Sequence, residues 1–321
     1  MIFTFRLSPD PGGSPTPNPL GAPRGRFWAT CAGSVLLILA AVLVAPQIGP
    51  HPLSLSKALS HPGSVDARVL LWIRLPRVLM AALAGGTLAT AGVAFQALLR
   101  NPLAEPFTLG VSSGASLGAV VAILLGVELT FLGLSAVPLF AFVGALTAVM
   151  VVYALARSGR GRAGEARVLS TSTLLLAGVC LAFTFHSGIL LAHYLADYGN
   201  SYRMLRWLMG GLGITSMERI FQVFPFAILG LSFIWISGRS LNVLAGGEDV
   251  ARSRGVDVGR LQRVVFFSAS LATAAVVTAV GPVGFVGLMV PHIARRVVGP
   301  DHRILLPASF SLGGTFLVIC D

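Results

Sequence analysis

The chain has 321 residues, 55% hydrophobic and only 11% charged, with a formal net charge of +11. Soluble domains carry about a quarter of their residues as Asp, Glu, Lys or Arg, so this composition excludes a water-soluble enzyme or binding module. The basic residues lie between apolar runs, which points to cytoplasmic loops of a helical membrane protein and away from nucleic acid.

Residues 1–26 are rich in Pro and Gly and predict a disordered tail. Arg24 and Arg26 ahead of the first apolar run imitate a signal peptide. Many spans follow, so an uncleaved first helix is expected; a start codon set too far upstream would also account for the tail. Residues 27–321 then form one transmembrane domain. A bilayer core of about 30 Å takes roughly 20 apolar residues per helix. Apolar runs at 27–49, 78–98, 107–126, 136–156, 168–193, 219–237, 264–280, 284–298 and 304–320 predict an all-α chain of about nine spans.

With the N-terminus in the cytoplasm, the 23 Lys and Arg residues divide 16 inside to 7 outside, and the reverse orientation inverts that split. The positive-inside rule therefore favours a cytoplasmic N-terminus. Two outer stretches are long enough to hold structure, 50–77 and 194–218. The second carries YRMLRWLMGG, a short amphipathic helix with Trp207 as an interface anchor. Cys31, Cys180 and Cys320 lie inside apolar runs without pairing or ligand spacing, so they are packing residues.

A weak repeat is present. Arg74-Leu-Pro-Arg77 opens a span that ends near Asn101-Pro102 before the Gly-rich GVSSGASLGA, and Arg260-Leu-Gln-Arg263 opens one that ends at Gly281-Pro282 before GFVG. An odd number of spans separates the copies, so they lie inverted, as in transporters with broken helices. The segment GFVGLMVPHIARR (284–296) is too short to cross. Pro291 removes a helix donor, Gly284 and Gly287 permit close contact, and His292 is expected to bond backbone freed by the proline. The alternative is a kinked packing helix. Gly110, Gly114 and Gly118 have the spacing that packs helices closely.

Four stretches carry a resemblance: RLPRVLMAALAGGTLATAGVAFQALLRNPLAEPFTLGVSSGASLGA (74–119), LSTSTLLLAGV (169–179), LNVLAGGEDVARSRGVDVGRLQR (241–263) and GPVGFVGLMVPHIARRVVGPDHR (281–303). In this order they resemble the permease subunits of ABC importers for iron-siderophores, haem and vitamin B12. The resemblance runs from about residue 50 to the end. It implies ten spans per subunit, so the last lies beyond Asp321 and the chain here is incomplete or truncated. It also implies a permease dimer, homo- or heteromeric, in a bacterial inner membrane. Two ATPase subunits, which hold the ATP and Mg, and a soluble substrate-binding protein complete the importer. This chain itself then holds no cofactor.

The resemblance assigns ATPase coupling to Glu248, Asp249, Ala251, Arg252, Arg254 and Gly255. The residues themselves predict a short helix there, with acids at its start, arginines in its last turn and a glycine stop. So short a helix needs a partner groove for stability. The resemblance further places binding-protein docking at Arg74 and Arg77, where membrane-interface snorkelling is the alternative. It places the gate at Asn101, Leu103, Thr171 and Ser172, the last two also being helix-capping types. His186 and His193 share a face of the fifth span, which lines the pathway in this family; packing or hydrogen bonding is the expectation for both. No metal site is expected. Ferric siderophores are the expected cargo only because they are the family's commonest; no residue bears on the choice.

No G-x-x-x-x-G-K-[ST] is present, so ATP hydrolysis falls to another chain. An ion-coupled transporter is the alternative. It needs ionisable groups within the membrane, whereas Asp and Glu here fall in or beside loops, apart from Asp321. An intramembrane hydrolase using Ser112 or Ser113 lacks any motif-placed base.

Overall fold

The computed structural model describes residues 24–49, 60–61, 63–127, 130–131, 134–158, 171–213 and 216–321. The predicted tail lies outside them up to residue 23. The first helix, α1 (Arg24–Val44), already begins within its last three residues. Seven helices are long and apolar enough to span: α1, α2 (Val65–Leu99), α4 (Ala136–Ser158), α5 (Thr171–Leu195), α7 (Met217–Ile236), α10 (Val258–Val280) and α12 (His302–Cys320).

The two remaining apolar runs form shorter helices, α3 (Val111–Leu124) and α11 (Val286–Val298), of 14 and 13 residues. At 1.5 Å per residue, α11 covers only about 20 Å. Both start late because the chain first passes a left-handed residue, Gly110 with φ 80° and Phe285 with φ 67°. The remaining helices are α6 (Tyr198–Leu208), α8 (Gly238–Ala245) and α9 (Glu248–Ser253). A two-residue ladder, Thr130 with Ser135 and Phe131 with Leu134, turns the chain between α3 and α4 and is a minor departure from all-α.

The bundle is organised around α2. Lipid is as apolar as leucine, so membrane helices associate through close contact of small residues. Gly85 of α2 meets the Gly313 backbone of α12, and Gly92 meets that of Gly287 in α11. A Cβ at either position would run into a carbonyl. Phe95 packs edge-on against Phe266 of α10 with ring centroids 6.2 Å apart. The predicted glycine series also packs helices, Gly114 against Gly144 and Gly118 against Phe140, both in α4. Gly284, by contrast, faces open space.

The order of contacts fixes the directions. Along α2, residues 82 and 86 meet 314 and 310, so α12 runs antiparallel, whereas Gln96 meets Leu288 and Arg295 beyond the Gly92–Gly287 contact, so α11 runs parallel. The α2 C-terminus and the segment leading into α10 meet at one end of the bundle. Helix α2 therefore runs into that end and α10 out of it, each followed by a short helix, as the repeat predicts.

The amphipathic α6 forms as expected, with Met204 buried on Val120 and Ile123. Trp207 is half-buried against the protein core, where the bend at Gly210 folds α6 onto the Val280–Pro282 backbone.

Candidate functional site

One end of the bundle collects the C-terminus of α2, the hairpin α8–α9, and the start of α12. There α2 ends in Arg100, a non-glycine residue in the left-handed region with φ 48°. Its N–H bonds the Ala97 carbonyl, and the Asn101 N–H bonds that of Gln96 at 3.2 Å. These two bonds form a Schellman stop, and the left-handed backbone costs a branched-free residue about 1 kcal/mol. Asn101 Oδ1 then accepts the Leu103 N–H at 3.0 Å, which tightens the loop.

The loop does not stay at the end of the bundle. Pro106 contacts Gly287, which sits against Leu88 and Gly92 of α2. Eight residues of helix separate Gly92 from Arg100, so the loop climbs back by about 12 Å. The backbone from 100 to 110 is thus re-entrant, covered by α2, α11 and α5, as irregular backbone at membrane depth must be. Thr108 closes its 3-10 turn (Pro106–Leu109), its hydroxyl donating to the Glu105 carbonyl at 2.7 Å. Glu105 Oε2 is buried without a hydrogen-bond partner.

Helix α5 packs its Gly178 on Thr108 and Gly188 on Leu117, so it runs parallel to the re-entrant segment and α3. Thr171 and Ser172 at its start therefore lie at the same end as Asn101 and Leu103. The four expected gate residues are brought to one end of the bundle. Leu103 is 68% exposed.

The expected coupling residues divide. Helix α9 starts after Gly247 (φ 114°) and stops at Gly255 (φ 78°), where the Gly255 N–H bonds the Arg252 carbonyl and the Val256 N–H bonds that of Ala251. The glycine stop read from sequence is thus a full Schellman motif. Ala251 is buried, and it anchors the helix to the body. Asp249, Arg252, Arg254 and Gly255 are exposed. Glu248 turns inward and accepts a bond from Arg100 Nη2 at 3.1 Å.

A second polar knot ties α8 to α12. Asn242 Nδ2 donates to Asp301 Oδ1 at 2.6 Å, and Asn242 Oδ1 accepts from the His302 backbone N–H at 2.8 Å and its Nδ1 at 2.7 Å. Asp301 caps α12 through the Arg303 N–H at 3.0 Å and pairs with its guanidinium at 2.7 Å. Burial alone would raise the Asp301 carboxyl, but hydrogen bonds from Arg303 and Asn242 outweigh it and hold the group well below the usual carboxylate range.

A third joins α2 and α11. Gln96 is buried, and its Oε1 accepts from Arg295 Nη2 at 3.0 Å while its Nε2 reaches the Leu288 carbonyl at 3.5 Å. His292 was expected to serve backbone near Pro291; it is exposed and makes no such bond, because Pro291 faces the core and turns its neighbour outward. Gln96, Asn242 and His302 escaped the sequence reading. The signal for Gln96 was a single amide in the 25-residue stretch Leu75–Leu99, whose other residues apart from Arg77 are apolar or small.

At the opposite end, Arg74 donates to the Pro46 carbonyl at 2.9 Å and Arg77 pairs with Asp321 at 2.6 Å. Both border a cleft of about 700 Å³ between α1, α2 and α12. His186 Nδ1 bonds its own helix at the Ala182 carbonyl, 2.7 Å away, as hydrogen bonding rather than ligand contact predicts.

The FecCD transport family model matches residues 35–321. The chain belongs to that family. The uncharacterized ABC transporter permease YvrB of Bacillus subtilis is 40% identical, over 79% of this chain and 70% of its own. The cobalamin import permease BtuC of Halobacterium salinarum is 35% identical, over 93% and 89%. A solved inward-facing structure assigned to a metal-chelate type ABC transporter superposes with a TM-score of 0.79 at 27% identity, covering 92% of this chain and 90% of that one. The chain is therefore an ABC transporter permease of multiple membrane spans.

Proposed function

We propose that the chain is the transmembrane subunit of an ATP-driven importer that takes a ferric siderophore from a soluble binding protein and releases it in the cytoplasm. The observation that carries the coupling assignment is α9. It is a six-residue helix held from behind by Ala251 and Glu248, and it presents Asp249, Arg252 and Arg254 to an ATPase groove. That end would be cytoplasmic, in keeping with its excess of arginine. Asn101 and Leu103 on the re-entrant loop would close the pathway against Thr171 and Ser172 on α5, with a second permease copy supplying the other half. Arg74 and Arg77 would steer the binding protein at the far end, after Arg77 exchanges Asp321 for a partner carboxylate. A metal-chelate cargo is supported by the structural neighbour; cobalamin is the competing cargo, from the archaeal relative.

Purification in mild detergent with mass spectrometry of co-purifying chains tests the assignment. An ATPase subunit should appear in stoichiometric amount and be lost in the Asp249→Ala/Arg252→Ala/Arg254→Ala variant. Uptake of labelled ferric siderophore against labelled cobalamin, in proteoliposomes with the binding protein, decides the cargo. One observation favours ion coupling instead, the buried unpartnered Oε2 of Glu105. Under the importer reading, Glu105→Gln keeps ATP-dependent uptake that no ionophore abolishes; uptake driven by an ion gradient without ATP would reverse the choice.

A further inference from the structure

Among the described residues, side chains of the hairpin α8–α9 make hydrogen bonds to other segments at two places, Glu248 to Arg100 and Asn242 to Asp301 and His302. Both places belong to the same body. Arg100 ends α2, Asp301 and His302 begin α12, and these two helices lie antiparallel with glycine backbones in contact at Gly85 and Gly313. Both fastenings reach the side of the expected gate that carries Asn101 and Leu103.

The two fastenings differ in kind. The Arg100–Glu248 pair leaves the arginine side chain 45% exposed, and exposed pairs hold little on their own. The Asn242 knot is built in. His302 is buried. Its backbone N–H can only donate, so the amide oxygen must face it and the amide nitrogen must face Asp301. That fixes the ring proton on Nδ1. Buried Leu241 and Leu244 on the same helix supply apolar contact, but apolar contact is non-directional and permits slippage. Three short bonds converging on one amide do not.

We propose that Asn242 is a positioning residue that converts displacement of the α8–α9 hairpin into movement of the α2–α12 pair, which carries the Asn101 side of the gate. This rests on the importer reading above.

The test uses the complex with its co-purified ATPase in proteoliposomes, measuring hydrolysis and substrate moved per ATP. Asn242→Ala and Asn242→Asp, the latter placing two carboxylates together, should keep ATPase assembly and hydrolysis. Substrate moved per ATP should fall about tenfold, within the range that coupling between sites carries. Asn242→Asp/Asp301→Asn exchanges amide and carboxylate and can remake the bonds that join position 242 to position 301 and to His302, although position 301 then gives up the oxygen that caps Arg303, so it should recover a measurable part of the ratio. If Asn242→Ala fails to assemble, Asn242→Asp against the double variant still decides. An unchanged ratio in Asn242→Asp, or no rescue by the exchange, overturns the proposal while wild-type coupling upholds the importer. Wild-type protein without any ATPase sinks the importer reading, and the clamp with it.

Discussion

Helices α2 and α5 are both long and apolar enough to cross a membrane, yet 94% of the apolar stretch in α2 is buried within the protein and only 22% of that in α5. The difference lies in side-chain size. From Ala81 to Ala97, α2 is mostly Ala, Gly and Thr, and neighbouring backbones close on it. Helix α5 carries Leu176, Phe183, Leu190 and Tyr194 outward, beside Ser172, Thr184, His186 and Ser187. Thr184, His186 and Ser187 each bond a carbonyl one turn back. A face that mixes bulky apolar groups with satisfied polar ones suits a second subunit and a wet pathway better than lipid. Apolarity alone says that a helix enters the membrane; residue volume says what it meets there.

The sharpest way to break this contrast is to add volume to α2. Gly92→Leu should destabilise the chain by about 3 kcal/mol or more, since the new Cβ meets a carbonyl that cannot yield. Gly188→Ala in α5 meets only the Leu117 side chain and should be tolerated. Chemical unfolding in detergent compares the two. Equal losses would end the distinction between centre and edge.

Next in size is Gln96→Leu, which strips Arg295 of its oxygen acceptor inside the α2–α11 contact. A loss of about 2 kcal/mol is expected, read by the same unfolding measurement. Arg295→Glu should lower coupled uptake as well, because it sets a carboxylate against the Gln96 carbonyl oxygen.

A smaller effect is expected with pH. The depressed Asp301 carboxyl contributes stability that is complete above the unfolded value of about 4 and is lost as pH falls through the folded one. Thermal stability should therefore show no pH dependence from this group between pH 8 and about 5 and decline in stronger acid. Asp301→Asn should remove its part of that decline, loosening the end of α12 that faces α8 without touching α5. Smallest of all, Leu190→Ala, 70% exposed on α5, should change the stability of the single chain by less than about 0.5 kcal/mol. A loss several times larger would mean that α5 is packed after all.

Local patterns were legible in the sequence. Hydropathy located the nine apolar runs, the glycine spacing of 110, 114 and 118 marked a closely packed helix, and Gly255 marked the end of α9. Each is set by residues a few positions apart. The pairings across the bundle were not legible. Gln96 and Arg295 lie 199 positions apart and Asn242 and His302 lie 60 apart, and nothing local announces either. The turn at Arg100 was hidden for another reason, since its left-handed backbone would ordinarily call for glycine. The stretch GPDHR reads as a polar loop, because a cap and a buried histidine look like one until α8 is placed against them. The re-entrant depth of the 100–110 loop likewise needs α11 in position before it can be seen.

That depth bears on how the chain is made. A segment enters a bilayer from the translocon on its own hydrophobicity, and each arginine counts against it. Helix α11 offers 13 residues, with Arg295 and Arg296 in its last turn. It cannot commit to the membrane as an independent unit. Its place is the groove made by α2, synthesised almost two hundred residues earlier, where Gly92 and Gln96 receive it. Until that moment the polar amide of Gln96 and the re-entrant backbone after Arg100 lack their cover. The first half of the protein therefore waits in the membrane unfinished, and a ribosome that stalls before residue 286 leaves behind a substrate for membrane quality control rather than half a transporter.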